Sequence, residues 1–323
     1  MRNNTKRKHH TKRTKKTSNQ RSKKTSNQRS KKTSNQRSKK TSNQRSKKKQ
    51  FKKLNCSPKK EFGFTCYSSD SLEKLKQKWN REHPNSTILT NNSKEIWDKL
   101  KEKLDNKCTT EKCWLNQKFM KNNVDSELAS YTFAPVSPEK WKTNPNEWLN
   151  SDDIIKVMKQ YEHTYSTFHF IGPSPIDYDN KKMFGQCVWN KLCNFNLKSH
   201  IKRGKRTFGI IFNTDPHNLP GSHWICMFID VNNSYIYYFD SNADTTPRQI
   251  NKLATNIIRQ GTALGIKFKY IKNDTIHQKG DTECGMYVLH IITQLLNNKM
   301  NPKNFNKRIT DKEMTELRKI LFN

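Results

Sequence analysis

Four residues in the C-terminal half of the chain, His223, Asp240, Gln278 and Cys284, have types and neighbours suited to nucleophilic acyl transfer. His223 stands directly before the apolar run 224–229, and Asp240 directly follows the run 235–239. The two runs read as strands, and the intervening 230–234, with two asparagines, reads as a hairpin turn. Such a hairpin returns His223 and Asp240 to the same open end. A carboxylate there holds one ring N–H and leaves the other nitrogen free as a base. Cys284 opens the long apolar run 284–296, which reads as a buried helix. At a helix N-terminus a sulfur meets unpaired N–H groups and the positive end of the peptide dipole, which favour thiolate, and a nearby imidazolium favours it further. Gly285 allows a substrate to approach the backbone closely. Gln278, six residues before the cysteine, donates without titrating, so its amide and the Cys284 N–H are the candidate oxyanion donors.

Each of these residues has an ordinary reading when taken alone: a packed histidine, a turn aspartate, a core thiol, a loop amide. Their joint placement at element edges within one segment favours a site. The other thiols lack such company. Cys226 lies along a strand among apolar residues, and Cys187 and Cys193 flank Trp189 and Leu192 as core positions do. None of the eight cysteines forms a C-x-x-C or matches zinc-finger spacing, so no metal site is expected. With no secretory signal, reduced thiols are the expected state. No P-loop and no dinucleotide-type glycine run is present, so no cofactor is expected.

The elements that must position this chemistry can be read on either side of it. The segment 148–162, with a cap at Asn150 or Ser151 and Ile154, Ile155, Met158 and Tyr161 on one face, is an amphipathic helix. Strands are expected at 167–171 and 208–212 as well as in the hairpin, with a further strand through Ile266, Phe268 and Tyr270. Ile250, Leu253, Ile257 and Ile258 suit a helix, and Thr310 with Glu313 has capping-box spacing at the start of the last one. The fold class is therefore α+β with a mixed or antiparallel sheet. Upstream, Leu72, Leu75 and Trp79 share a helical face, with Asp70 and Glu73 spaced as a capping box, and Ile96, Trp97, Leu100 and Leu104 form a second stripe. The expected organisation is a helical domain at 51–133, a proline-marked connector at 134–147 and a catalytic domain at 148–323.

Charge is concentrated at the other end. Of 63 Lys and Arg, set against 28 Asp and Glu, residues 1–50 hold 21 and contain no acidic residue. The octapeptide KKTSNQRS occurs four times in register, at 15–22, 23–30, 31–38 and 39–46. A polar unit of that length has nothing to bury, so 1–50 is expected to be a disordered basic tail. It suits salt-sensitive, sequence-blind binding to nucleic acid or another polyanion; a solvated repeat expansion without a partner and a nuclear import signal are the other readings. No aromatic in it can stack on bases. No apolar run approaches the ~18–20 residues of a membrane span, so none is expected.

The order His223-Trp224, Asp240-Ser241, Gln278, Cys284-Gly285 resembles the H-W…D-S…Q-x₅-C-G pattern of the Ulp/adenain-like superfamily of cysteine proteases, which includes SUMO-specific and adenoviral enzymes. TECG at 282–285, HQ at 277–278, YF before Asp240 and RITDKEMTELRKILF near the C-terminus are similar to the protease of large nucleocytoplasmic DNA viruses, the African swine fever virus type. The resemblance spans about 148–323. It implies a mixed sheet flanked by helices, preceded by a helical arm domain. It also implies His223 as general base, Asp240 as its orienting partner, Cys284 as nucleophile, Gln278 as oxyanion donor and Trp224 as a wall of the substrate cleft. In those relatives an Asn can take the third position, which makes Asn242 an alternative orienter. The implied activity is viral thiol endopeptidase acting on structural precursor proteins, in the virion and in host cytoplasm during assembly. A SUMO or ubiquitin-like deconjugase would use the same four residues. A nucleic-acid-binding packaging protein with an inert protease fold is the non-enzymatic alternative.

Overall fold

The computed structural model describes residues 50–58, 60–120 and 126–323; the octapeptide repeats and the disorder expected of them lie outside the described residues. Five strands, β1 (Phe168–Pro175), β2 (Thr207–Asn213), β3 (Trp224–Asp230), β4 (Tyr235–Phe239) and β5 (Lys269–Lys272), form one sheet in that order. β2, β3 and β4 run antiparallel to their neighbours among themselves, while β1 pairs parallel with β2 and β5 parallel with β4. The sheet is thus mixed. Every residue of β3 is buried, because side chains alternate between two covered faces. Trp224, Cys226 and Phe228 join the core made with α5 (Ser151–Thr164), α9 (Cys284–Leu296) and α10 (Asp311–Leu321). Ile225, Met227 and Ile229 join the core on the opposite face, with α7 (Leu197–Lys202) and α8 (Arg248–Thr262). The short α6 (Asn190–Cys193) borders this second core through Leu192.

Three glycine and cap positions show why these segments take these forms. A Cβ on Gly209, in mid-β2, would come within 2.9 Å of Ile292 on α9 and of Phe168 on β1, so the absent side chain is what lets the helix settle onto the sheet. Asn150 caps α5 and forms a reciprocal box with Asp153, and Thr310 does the same for α10 with Glu313. The box expected at Asp70 and Glu73 is not formed. Ser68 caps that helix by accepting from the Ser71 N–H, and Glu73 pairs instead with Lys76 one turn on.

Upstream of the sheet, α1 (Ser69–Glu82), α2 (Ser93–Leu104), α3 (Glu111–Trp114) and α4 (Ser126–Tyr131) enclose a third core, with Tyr67, Leu72, Leu100, Trp97 and Trp114 at its centre. Gln160 on α5 ties this segment to the sheet by donating to the carbonyls of Ser130 and Phe133. Asn55 donates to the carbonyl of Phe322, and its backbone exchanges hydrogen bonds with the Asn323 amide.

The thiols depart from expectation. Cys56–Cys66, Cys108–Cys113 and Cys187–Cys193 are disulfides, leaving Cys226 and Cys284 free. Absence of a secretory signal argued for reduced thiols, but sequence separations of 10, 5 and 6 residues bring each pair's Cα atoms to within 5.1–6.3 Å, the reach of a bridge. Cys187 and Cys193 are therefore cross-linked rather than simple core thiols. Among the described residues no helix is long and apolar enough to cross a membrane.

Candidate active site

The β3–β4 pairing aligns Cys226 with Phe239, so the residues flanking the hairpin's open end, His223 and Asp240, face one another. His223 Nε2 lies 2.7 Å from Asp240 Oδ1. The Asn242 backbone N–H also donates to that oxygen, at 2.9 Å, and Asn273 holds the Asp240 carbonyl at 2.6 Å. Asn242 thus steadies the carboxylate through its main chain, and the ring's oriented contact is with Asp240. The carboxylate side chain is 4% exposed and the imidazole 15%, so little water competes for the bond.

α9 runs over the same sheet face as Trp224 and Cys226, and its first residue, Cys284, reaches this end of the hairpin. The Cys284 side chain lies beside the His223 ring, close enough to help hold it charged. With Nε2 on the carboxylate, Nδ1 is the nitrogen left for the sulfur. Burial disfavours the charged ring, but the hydrogen bond to Asp240 and the neighbouring Cys284, reinforced by their charges, overcome it and raise the imidazole from 6.5 to about 10. Glu283 at the N-cap makes no side-chain cap, so the first-turn N–H groups of α9 remain as donors beside the sulfur. Cys226, the other free thiol, is enclosed in the sheet, and burial pushes it well above the ordinary range.

Gln278 is held at both ends of its amide. Its Oε1 accepts from the Ser241 hydroxyl at 2.9 Å, and Nε2 donates to the Gly280 carbonyl at 2.8 Å. Its main-chain N–H donates to the Ser241 carbonyl at 3.0 Å. Nε2 carries two hydrogens, so one stays available. Ser241 was quoted in the sequence only as a neighbour of Asp240. The structure makes it, with the Gly280 carbonyl, one of two groups that fix which way the Gln278 amide faces.

Trp224 is buried, its indole N–H donating to the Leu149 carbonyl at 3.0 Å. Gly285 serves packing: a Cβ there would meet Leu149 Cβ at 3.0 Å and Trp224 Cδ1 at 3.3 Å. The close approach at this glycine is by Leu149 and Trp224, where a substrate was expected. Trp224 and Leu149 also wall a cavity of about 790 Å³, shared with Trp148, His217, Leu219 and Pro175. Trp148 is 39% exposed on that wall. The sequence shows Trp148 only as lying two residues ahead of a helix cap, and nothing in its spacing marks a cavity wall; the cavity adjoins the site through Trp224, and none of His223, Asp240, Gln278 or Cys284 lines it.

A thiol at a bare helix start, an imidazole beside it and a buried carboxylate bonded to the ring form the constellation of a cysteine peptidase. Residues 205–323 match the Ulp1 protease family, C-terminal catalytic domain. A thiol protease of Acanthamoeba polyphaga mimivirus is 28% identical over 281 residues, 80% of this chain and 89% of that protein. A cysteine protease of African swine fever virus is 26% identical over 245 residues, 71% of this chain and 88% of the other. The crystal structure of an African swine fever virus protease shares the fold, with a TM-score of 0.61 at 22% identity over 83% of this chain and 95% of that one.

Proposed function

We propose that this chain is a thiol endopeptidase that cleaves structural precursor proteins during virion maturation, acting in the virion and in host cytoplasm during assembly. The observation that carries the chemistry is the His223 ring, hydrogen-bonded to Asp240 on one side and with the Cys284 side chain beside it. The likeness to two viral thiol proteases over most of their lengths supports peptide-bond hydrolysis by a thiol as the reaction. In the first step the Cys284 thiolate attacks the peptide carbonyl, and the new oxyanion is met by the Cys284 N–H and the free Gln278 Nε2 hydrogen. The His223 imidazolium gives its proton to the departing amine as the C–N bond breaks, leaving a thioester. The now neutral ring takes a proton from water, whose oxygen displaces the sulfur and releases the acid.

The test is mass spectrometry of products from candidate precursors, comparing unmodified protein with Cys284→Ala. Discrete products that vanish in the variant are expected, and cleavage retained by Cys284→Ala defeats the mechanism. A tagged ubiquitin-like conjugate in parallel separates the deconjugase reading: release of the modifier with precursors untouched replaces precursor processing. If an iodoacetamide probe shows no preference for Cys284 near neutral pH, the packaging-protein reading takes over. We further propose that the cationic repeats tether the enzyme to encapsidated nucleic acid, a reading supported by their charge and lack of any apolar face.

A further inference from the structure

We propose that Arg318 on α10 is a positioning residue for the Cys284 nucleophile, clamping Glu283, the residue directly before it, onto the chain that leads into the cleft wall at Trp148. This inference rests on Cys284 being the nucleophile. Arg318 Nε donates to both Glu283 carboxylate oxygens, at 2.9 and 3.2 Å, and each side chain is 4% exposed. Its remaining nitrogens go to main-chain carbonyls: Nη1 to Glu147 at 2.8 Å, and Nη2 to Thr282 at 3.2 Å and Asn146 at 3.5 Å. The guanidinium lies 4.5 Å from the ring centre of Trp141, whose own indole N–H donates to the Glu147 carbonyl at 3.1 Å. One cation thereby joins three strands of chain: the residues preceding Cys284, the residues preceding Trp148, and the last helix.

Two physical arguments give this clamp a role in the chemistry. A fully buried ion pair is a poor way to stabilise a core, since apolar residues of similar size do as well, whereas it fixes geometry through many directed bonds. In addition, Glu283 is adjacent in sequence to the sulfur, and a carboxylate without a counter-charge there would oppose thiolate formation. Arg318 removes that opposition. The same helix braces the other half of the site seven residues earlier. Asp311 accepts from the N–H groups of Lys279 and Gly280, at 3.0 and 3.1 Å, and from the Tyr287 hydroxyl at 2.9 Å. Gly280 is the residue whose carbonyl holds Gln278.

The experiment measures iodoacetamide modification of Cys284 against pH, with kcat and KM on one peptide substrate, in the full chain. Arg318→Lys keeps the charge but cannot serve three carbonyls. The double variant Arg318→Met with Glu283→Leu replaces the pair by apolar volume. Near-UV circular dichroism reports whether each is folded. The titratable group beside the sulfur in these measurements is His223, with Asp240 behind its ring. The expected result is a folded variant in which kcat falls on the order of 10²-fold with KM little changed, as misplacement of a reacting group by about 1 Å produces. The rate of Cys284 alkylation should fall in the same variant. A folded variant that alkylates and cleaves like the unmodified protein overturns the proposal. Failure of both variants to fold also overturns it, since Arg318 is then a core residue. Absence of Cys284 labelling or cleavage in the unmodified protein is a different failure, that of the proposed function.

Discussion

At His223 burial and charge pull in opposite directions, and the outcome sets the pH behaviour of the site. Desolvation disfavours the imidazolium, while Asp240 and Cys284 favour it strongly enough to raise the ring to about 10. A folded-state value above the ordinary 6.5 means the stabilisation is complete below about pH 6.5 and is lost as pH rises towards 10. The stability advantage of the unmodified protein over His223→Gln should therefore shrink across that window, as denaturant titrations at a series of pH values will read. Asp240→Asn removes a raising partner, so the alkaline limb of cleavage should move below pH 10 and kcat should fall by up to ~10⁴-fold, as for other oriented histidines. Gln278→Ala should lower kcat ~10²–10³-fold by loss of an oxyanion donor, and Ser241→Ala by less, since the amide remains but loses its anchor. His223, Asp240 and Cys284 could be read as a group because each abuts the edge of a strand or helix visible in the apolar pattern, whereas Gln278 lies in the loop before α9 and could be read only from its spacing to Cys284. Ser241 and Arg318 could not be read, because their partners lie 37 and 35 residues away and only tertiary packing pairs them.

The elements were legible where an apolar pattern ran long enough to have a period. β3, β4, α5 and α9 fall within a few residues of where the sequence places them, and Cys284 opens α9 as expected. β5 is shorter and begins later than the Ile266–Phe268–Tyr270 alternation implies, since only 269–272 pair with β4. Caps were harder to place: several hydroxyls and carboxylates near Ser68 compete for the same N–H groups, and only the backbone's path decides. Gly209 is the clearest element-level dependency. Gly209→Ala would ordinarily suit a strand, yet here the methyl has to displace Ile292 or Phe168, so a loss of about 1–3 kcal/mol is expected in chemical denaturation. The disulfides were illegible for another reason, that proximity of two thiols is a property of the folded loop. They make a sharp prediction: native protein without reductant should react with iodoacetamide at Cys284 alone, since the other six are paired and, although both free thiols are buried, burial pushes only Cys226 well above the ordinary range while Cys284 has the His223 imidazole beside it.

For the whole molecule, the informative quantity is where the charge lies. The formal net charge is +35, and residues 1–49 contribute 21 of the cations without one carboxylate. The rest of the chain holds 42 Lys and Arg against 28 Asp and Glu, many of them in side-by-side pairs on helices, such as Lys94 with Asp98 and Lys159 with Glu162. Paired surface charges present little net field at a distance, whereas a run of like charges presents all of it. Polyanion binding should therefore belong to residues 1–49 and peptide cleavage to the remainder. Removing 1–49 should leave kcat/KM on a short peptide within about twofold, because the candidate catalytic residues all lie within 223–284. Affinity for duplex DNA of mixed sequence should collapse in the same protein. For the full chain, if 6–10 phosphates are neutralised, affinity should fall ~10³–10⁵-fold between 50 and 200 mM salt, with a log–log slope near −0.9 per phosphate. Fluorescence anisotropy across a salt series measures both. If the shortened chain binds DNA at low salt as tightly as the full one, the tether lies in the folded part, and the repeats have no electrostatic role in placing the enzyme.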